Sequence, residues 1–485
     1  MGTRDYLVLG MGLLVCSIMV PHSVAAQAWL ADRNRAEGPG IRLGDFELHP
    51  GIGAEAGFES NPFLESDIVA TDGNLIVSEA VKPSAVVRVS PHLYISTIGE
   101  ERREAGALAR EESGRKVLPP PFAFRGGVSG SLQWFGVGPG DGNDNGLGQT
   151  RWLGNLDLSE DILAERPFSA HFNQEANVSQ LPVQGQQSNH YHLGLGGRME
   201  LGTVGGLLRG RLGYQFNLDR FDASQNNGYD HNITQGLYWQ FLPKTVLFQD
   251  TEITFHSFDE TGTGFELIAD KENSTRVTTR VGLNGAVTRE LAATLALGYS
   301  VMLFENGALD TFDSLSDVER QALVGQLGLK WRPSPRATAS LQYGRSLGSA
   351  LQGNTVVTDA FTARTEVLLG GALLLTASGA LTFLDYGEDG QQAAFAPLLQ
   401  TSDLTLLDGE GIDVGAFRSD TLLRLDFSGE YRFTNWFALT GQVRYDTNLS
   451  DYAFLFPETS GQSIRFASPV GFSNVVAVLG LRAFL

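Results

Sequence analysis

The chain has 485 residues, 42% of them hydrophobic and 10% aromatic, with 58 glycines and a net charge of -20. That acidity excludes nucleic acid as a partner, because binding a phosphate backbone calls for a basic face. A mean hydropathy of -0.08 excludes a helical membrane protein, whereas a transmembrane β-barrel alternates lipid-facing and water-facing residues and averages to such a value.

Residues 1–26 read as a secretory signal peptide: Arg4, an apolar run from Tyr6 to Val20, Pro21, then Ser23-Val24-Ala25-Ala26, with cleavage after Ala26 or Ala28. The apolar run is shorter than the roughly 20 residues of a spanning helix. Cys16, the only cysteine, lies inside it behind Val15, where a lipid attachment site would carry a small residue. The mature chain is therefore expected to have no disulfide and to take its stability from the backbone ladder and packing. A short periplasmic leader, 27–45, precedes the barrel, which is assigned to 46–485.

From Phe46 onward, segments with period-two alternation recur, about eighteen in all. They fall at 46–59, 81–96, 123–135, 148–159, 167–179, 189–202, 207–221, 230–242, 245–258, 271–285, 291–304, 319–332, 336–347, 359–369, 372–384, 418–433, 436–449 and 472–485. The pattern is cleanest where Leu423, Leu425, Phe427, Tyr431 and Phe433 oppose Arg424, Asp426, Ser428, Glu430 and Arg432. Likewise Leu208, Leu212, Tyr214 and Phe216 oppose Arg209, Arg211, Gln215 and Asn217, and Val277, Val281 and Leu283 oppose Arg276, Thr278 and Arg280.

A soluble sandwich would show the same alternation. Connection lengths favour the barrel, for they alternate short (203–206, 243–244, 286–290, 333–335, 370–371, 434–435) and long (60–80, 136–147, 222–229, 259–270, 305–318, 348–358, 385–417, 450–471) with few exceptions. Short periplasmic turns and long extracellular loops have that pattern, and an even strand count returns both ends to the periplasm. Trp134, Trp152, Trp239, Phe241, Trp331, Phe433, Trp436 and Phe437 sit near strand ends, where they would girdle the two membrane interfaces. The expected fold is an all-β transmembrane antiparallel barrel of about eighteen strands, embedded in outer-membrane lipid.

The connection at 97–122 breaks the pattern, being long and charged where a turn is expected; Glu100, Glu101, Arg102, Arg103 and Glu104 begin it and Pro119 to Pro121 end it. It reads as a solvated insert or as a docking site for a periplasmic partner.

The inward-facing charges are the expected pore lining: Arg198, Arg209, Arg211, Arg276, Arg280, Lys330, Arg332, Arg424, Asp426, Glu430, Arg432, Arg444 and Asp446. Most of the cations lie toward the periplasmic strand ends, while Asp219 and Asp446 lie toward the outer ends beside acidic loops. Such charges either set ion preference or pair across strands to fill the barrel. Asp141 to Gly146 fits half a calcium loop, but the twelfth position is Trp152 where a bidentate Glu is needed, so a hairpin tip is the better reading. His190 and His192 share one inward face without an evident third ligand, so no metal and no cofactor is assigned. No Gly-x-Ser-x-Gly or comparable signature points to an enzyme.

The chain ends on NVVAVLGLRAFL, in which Val475, Ala477, Leu479, Leu481, Ala483 and Leu485 share one face and Asn474, Gly480 and Arg482 the other. This resembles the C-terminal signal read by the barrel-assembly machinery of Gram-negative outer membranes, carried here by Leu479, Leu481, Phe484 and Leu485. The opening stretch FELHPGIGAEAGFESNPF, Phe46 to Phe63, resembles the first strand and Asn-Pro loop of the beta-barrel porin 2 type of outer-membrane protein. That resemblance implies a diffusion channel or a barrel for exopolysaccharide export, and transfers no catalytic or ligand-binding residue. The leader is too short for a plug domain, which argues against a TonB-dependent receptor. The expected function is a channel for hydrophilic solutes, with exopolysaccharide export through a periplasmic partner at 97–122 as the alternative and an adhesive or structural barrel as a third reading. A lumenal track of aromatic residues would favour export.

Overall fold

The computed structural model describes residues 40–44, 46–62, 64, 70–72, 75–77, 83–97, 121–136, 150–164, 166–183, 186–203, 206–222, 227–258, 273–304, 320–349, 355–386, 418–450, 452–457 and 464–485. The stretch 1–26 read as a signal peptide, most of the stretch 27–45 read as a leader, residues 98–120 of the charged insert, the Asp141 to Gly146 motif and most of the acidic loops lie outside them. The strands, in chain order, are β1 (Ile41–Leu43), β2 (Phe46–Glu59), β3 (Ala70–Asp72), β4 (Leu75–Val77), β5 (Ser84–Ser96) and β6 (Phe122–Phe135). Next come β7 (Thr150–Ile162), β8 (Phe168–Val183), β9 (Gln186–Gly202), β10 (Leu208–Phe221), β11 (Gly228–Leu242) and β12 (Thr245–Phe258). They are followed by β13 (Ser274–Ala286), β14 (Leu291–Phe304), β15 (Arg320–Ser334), β16 (Ala337–Ser349), β17 (Thr355–Leu369) and β18 (Leu373–Tyr386). The last are β19 (Ser419–Thr434), β20 (Phe437–Leu449), β21 (Ala453–Pro457), β22 (Ile464–Pro469) and β23 (Phe472–Phe484).

Nineteen of these strands form one antiparallel sheet. It closes on itself because β2 pairs with β5 along one edge and with β23 along the other, from Gly51↔Phe484 to Glu59↔Val476. Apart from the three-residue β1, eighteen strands make the wall, and all eighteen alternating segments of the sequence coincide with one of them. The alternation works because side chains of successive residues point to opposite faces, so each strand offers lipid an apolar row and the lumen a polar one. Leu297, Leu323, Leu479, Trp239 and Phe427 are all exposed on the outer face. A closed barrel with an apolar outside and a polar inside leaves no backbone edge to lipid, and it resides in the outer membrane.

The hairpins are tight where the sequence supplies turn chemistry. Gly370 and Gly371 take φ of 57° and 72°, conformations that a side chain disfavours, and let Leu369 pair with Leu373. Register shifts lie next to the turns after Trp239, Trp331 and Arg432, bending the strands at that rim. Seven of the eight connections at this rim are short, and both ends of the barrel lie there; 97–121 is the exception. At the opposite rim most connections are long, but 222–227 and 350–354 are short, and only 184–185 separates β8 from β9, where Val183 pairs with Gln186. We call these the turn rim and the loop rim.

Two features have no counterpart in the alternation pattern. After a turn at Gly44, β1 pairs with β2 (Ile41↔Leu48) on the stretch of β2 edge that β23 does not reach, since Leu485 N–H already donates to Pro50 O at 3.0 Å. The seam edge is thereby covered. The loops after β2 and β20 also contribute a separate four-stranded sheet, joined by the parallel pairing of β4 and β22 at Ile76↔Phe466.

Candidate functional site

The lumenal wall is the candidate site, and its inner face divides into sectors of different chemistry. Around the seam, on β19, β20, β23, β2 and β5, charges pair both along and across strands. Arg432 Nε donates to Glu430 at 2.6 Å, its side chain is 1% exposed, and its guanidinium lies 4.7 Å from the ring centre of Phe484. Glu430 also accepts from Arg482 at 3.3 Å. Asp446 holds both Arg424 and Arg444, while Asp426 accepts from Gln442 and Glu55 from Arg88. Above them, near the loop rim, Val86, Phe135, Val476 and Val478 form a buried apolar cluster on the lumenal side. Asn61, from the Asn-Pro turn, tucks in beside it. Its N–H donates to Asn474 Oδ1 at 3.0 Å and its amide to Ser473 O at 3.2 Å, tying the first barrel strand to the last. Toward the turn rim, the sector encloses a recess of about 410 Å³ lined by Glu55, Arg88, His92, Glu430, Gln442 and Arg482 among others.

The final strand presents Leu479, Leu481 and Leu485 to lipid, whereas Phe484 turns inward and is buried against Arg432. Phe484 therefore packs inside the barrel, and the outward apolar row of this strand consists of aliphatic residues.

The second sector, β7 to β11, is dominated by amides and histidines. Asn173 donates to Gln215 at 3.2 Å, Gln215 to Asn217 at 3.1 Å, and Asn177 to Asn155 at 3.0 Å. Glu200 accepts from Arg211 at 3.0 Å and lies 3.5 Å from Arg198. On β9, His190 Nε2 and His192 Nδ1 both lie within hydrogen-bond distance of Asp219 Oδ1, at 2.7 and 2.8 Å, and His192 Nε2 is 3.3 Å from Glu175 Oε1. Asp219 is the third ligand-type group that the His190–His192 pair lacked in the sequence. The signal was available: a short turn at 203–207 fixes the register of β9 against β10 and places Asp219 opposite His192.

The third sector, β12 to β17, carries small and hydroxylated side chains with isolated cations. Arg276 pairs with Glu252 at 2.7 Å. Arg280, Lys330 and Arg332 point into the lumen, as does Arg209 in the neighbouring sector, and none of the four has a carboxylate partner among the described residues. Near the loop rim the β15–β16 ladder stops at Gly325↔Arg345, although β15 still pairs with β14 and β16 with β17 beyond that point. Leu347 and Val357 continue the lipid-facing rows of β16 and β17, yet they are buried against the inward-facing Met302 and Ala322. Arg276, on the inner face of β13, donates to Leu347 O at 2.9 Å. The end of the β16–β17 hairpin thus crosses to the lumenal side of β14 and β15 and narrows the mouth.

No family model matches the sequence, that of the beta-barrel porin 2 type included, and no curated protein matches it. Among solved structures the barrel is similar to OpdK of Pseudomonas aeruginosa, solved with vanillate, at 7% identity and a TM-score of 0.41 over 90% of this chain and 99% of that one. It is similar to the same degree to the siderophore receptor PirA of Pseudomonas aeruginosa (10% identity, TM-score 0.39, 90% and 80% covered) and to the FrpB iron transporter of Neisseria meningitidis (8%, 0.40, 96% and 83%). At these identities the likeness concerns the barrel fold alone, and function is argued from the lumen itself.

Proposed function

We propose that this barrel is a passive outer-membrane channel for small hydrophilic solutes. The observation that carries the reading is that charged side chains on the inner face remain open to the lumen: Arg424 is 65% exposed, Glu175 52% and Arg198 44%. Ions cannot be left solvated inside a packed interior, so these side chains call for water in the barrel. Eighteen strands leave room for it, since a barrel of that size encloses an aqueous channel unless loops fold in. Arg209, Lys330 and Arg332, exposed near the turn rim and without carboxylate partners, give that end a preference for anions despite the acidic chain. The polar loop rim and the turn rim are read as extracellular and periplasmic, and insertion as directed by the outward Leu479, Leu481 and Leu485 of the last strand.

Polysaccharide export is disfavoured by where the aromatic rings stand. Every aromatic side chain that is exposed on a described strand faces lipid; on the inner face Phe135, Phe248 and Phe484 are buried and Tyr94, Tyr238 and Phe221 are half-buried beside Arg125, Phe248 and His190, so no continuous open stacking track lines the lumen among the described residues. Liposome swelling tests the proposal. Vesicles carrying the refolded barrel should swell in small sugars and small organic anions, more slowly as solute size rises; folded barrel without swelling would overturn it.

A further inference from the structure

We infer that His190, His192 and Asp219 form a binding site for a borderline divalent transition-metal ion, of which Zn2+ is the type, on the lumenal wall near the loop rim, with Glu175 holding the second ring nitrogen of His192. The site goes beyond the channel reading and stands or falls separately from it. Three neighbouring strands build it: β8 supplies Glu175, β9 the histidines and β10 the aspartate, which is the direct ladder partner of His192. One ligand atom from each of His190, His192 and Asp219 lies within 4.8 Å of the others, which is the span of a single coordination sphere.

The proton count favours a cation there. Asp219 Oδ1 faces a nitrogen of each imidazole, and Glu175 Oε1 faces the second nitrogen of His192. Carboxylates only accept, so satisfying all three contacts with protons requires His192 to donate from both nitrogens and to carry a charge between two anions. A divalent ion removes that demand. It displaces the protons shared with Asp219, takes Nε2 of His190 and Nδ1 of His192 as neutral ligands, and leaves the Nε2–H of His192 to donate to Glu175.

The surroundings are shaped for this role. Gly194 leaves the space that Glu175 occupies: a Cβ there would meet Glu175 Cγ and Oε1 at 2.7 Å and Gln215 Nε2 at 3.1 Å. The ring of His190 is stacked on Phe221 with centroids 4.3 Å apart, which fixes its orientation. Two imidazoles with a carboxylate suit zinc-class ions rather than Mg2+ or Ca2+, which take oxygen shells. The half-exposed face toward the lumen leaves a coordination position open to water, through which an ion enters and leaves.

The test is Zn2+ titration of the refolded full barrel in detergent by calorimetry, with Mg2+ as competitor. One Zn2+ per chain is expected, indifferent to Mg2+, and weakened at least about tenfold in His192→Ala and in Asp219→Asn. No Zn2+ binding by the folded chain, or binding unchanged in both variants, would overturn the site. Should a variant fail to fold, X-ray absorption on the zinc-loaded native chain decides: nitrogen ligands at about 2.0 Å support it, and an all-oxygen shell contradicts it.

Discussion

Two stretches of the same wall solve the problem of polar groups inside a barrel in opposite ways. At the seam, from β19 through β5, carboxylates and guanidiniums are matched along and across strands, with Arg432 and Asp446 buried, and apolar side chains fill the space above them. Opposite, from β8 to β11, amides and histidines form loose chains of hydrogen bonds and stay half exposed to the lumen. The difference follows from what each stretch has to do. Joining the first strand to the last is a non-local contact, and it is held by the buried hydrogen bonds of Asn61 and Glu59 with Asn474 and by the apolar cluster of Val86, Phe135, Val476 and Val478. Strands paired with their sequence neighbours need no such reinforcement, and their inner face is left for solutes and ions.

That contrast can be broken most severely at Gly57. A Cβ there would meet the carbonyl oxygen of Ala477 at 1.9 Å, so Gly57→Val should force β2 from β23 and abolish the heat-modifiable folded band on electrophoresis. Next in size is Glu430→Ala, which removes the carboxylate facing both Arg432 and Arg482. We expect a loss of about 3 kcal/mol in urea unfolding, at the low end for a broken buried pair because Arg432 keeps its contact with Phe484, and a smaller loss for Glu430→Gln. In the amide sector Gln215→Ala should cost only about 1 kcal/mol by the same assay, since the partners it abandons can turn to lumenal water. Arg276→Ala should change stability little but release the β16–β17 hairpin from its hold on Leu347 O, seen as larger or noisier single-channel currents.

Most of the wall was legible because the period of two persists through every segment and turns such as Pro243-Lys244 and Gly370-Gly371 mark the hairpins. That same period puts the candidate lumenal charges on one face of each strand, but their partners were not visible in it: Arg432 stands paired and buried, while Arg209 has no carboxylate partner among the described residues. The final strand shows where the pattern fails. Val476, Val478 and Phe484 are apolar on the inward face, so both faces of that strand are apolar and the period alone gives no hint that one of them fills the lumen. β1 and the second sheet escaped because strands of three to six residues carry too few alternations. The inward lean of the β16–β17 hairpin rests on a side chain meeting a backbone carbonyl 71 residues away, a contact without any sequence signature.

The claim that a water-filled, weakly anion-preferring lumen runs through this barrel is tested most directly by the reversal potential of single channels in a planar bilayer under a salt gradient. It should be measured for the native chain and for Lys330→Glu/Arg332→Glu. We predict steady conductance with anion preference in the native chain and a shift toward cations in the variant. A demonstrably folded native barrel that carries no current, or a reversal potential that does not move on charge reversal, would contradict the account.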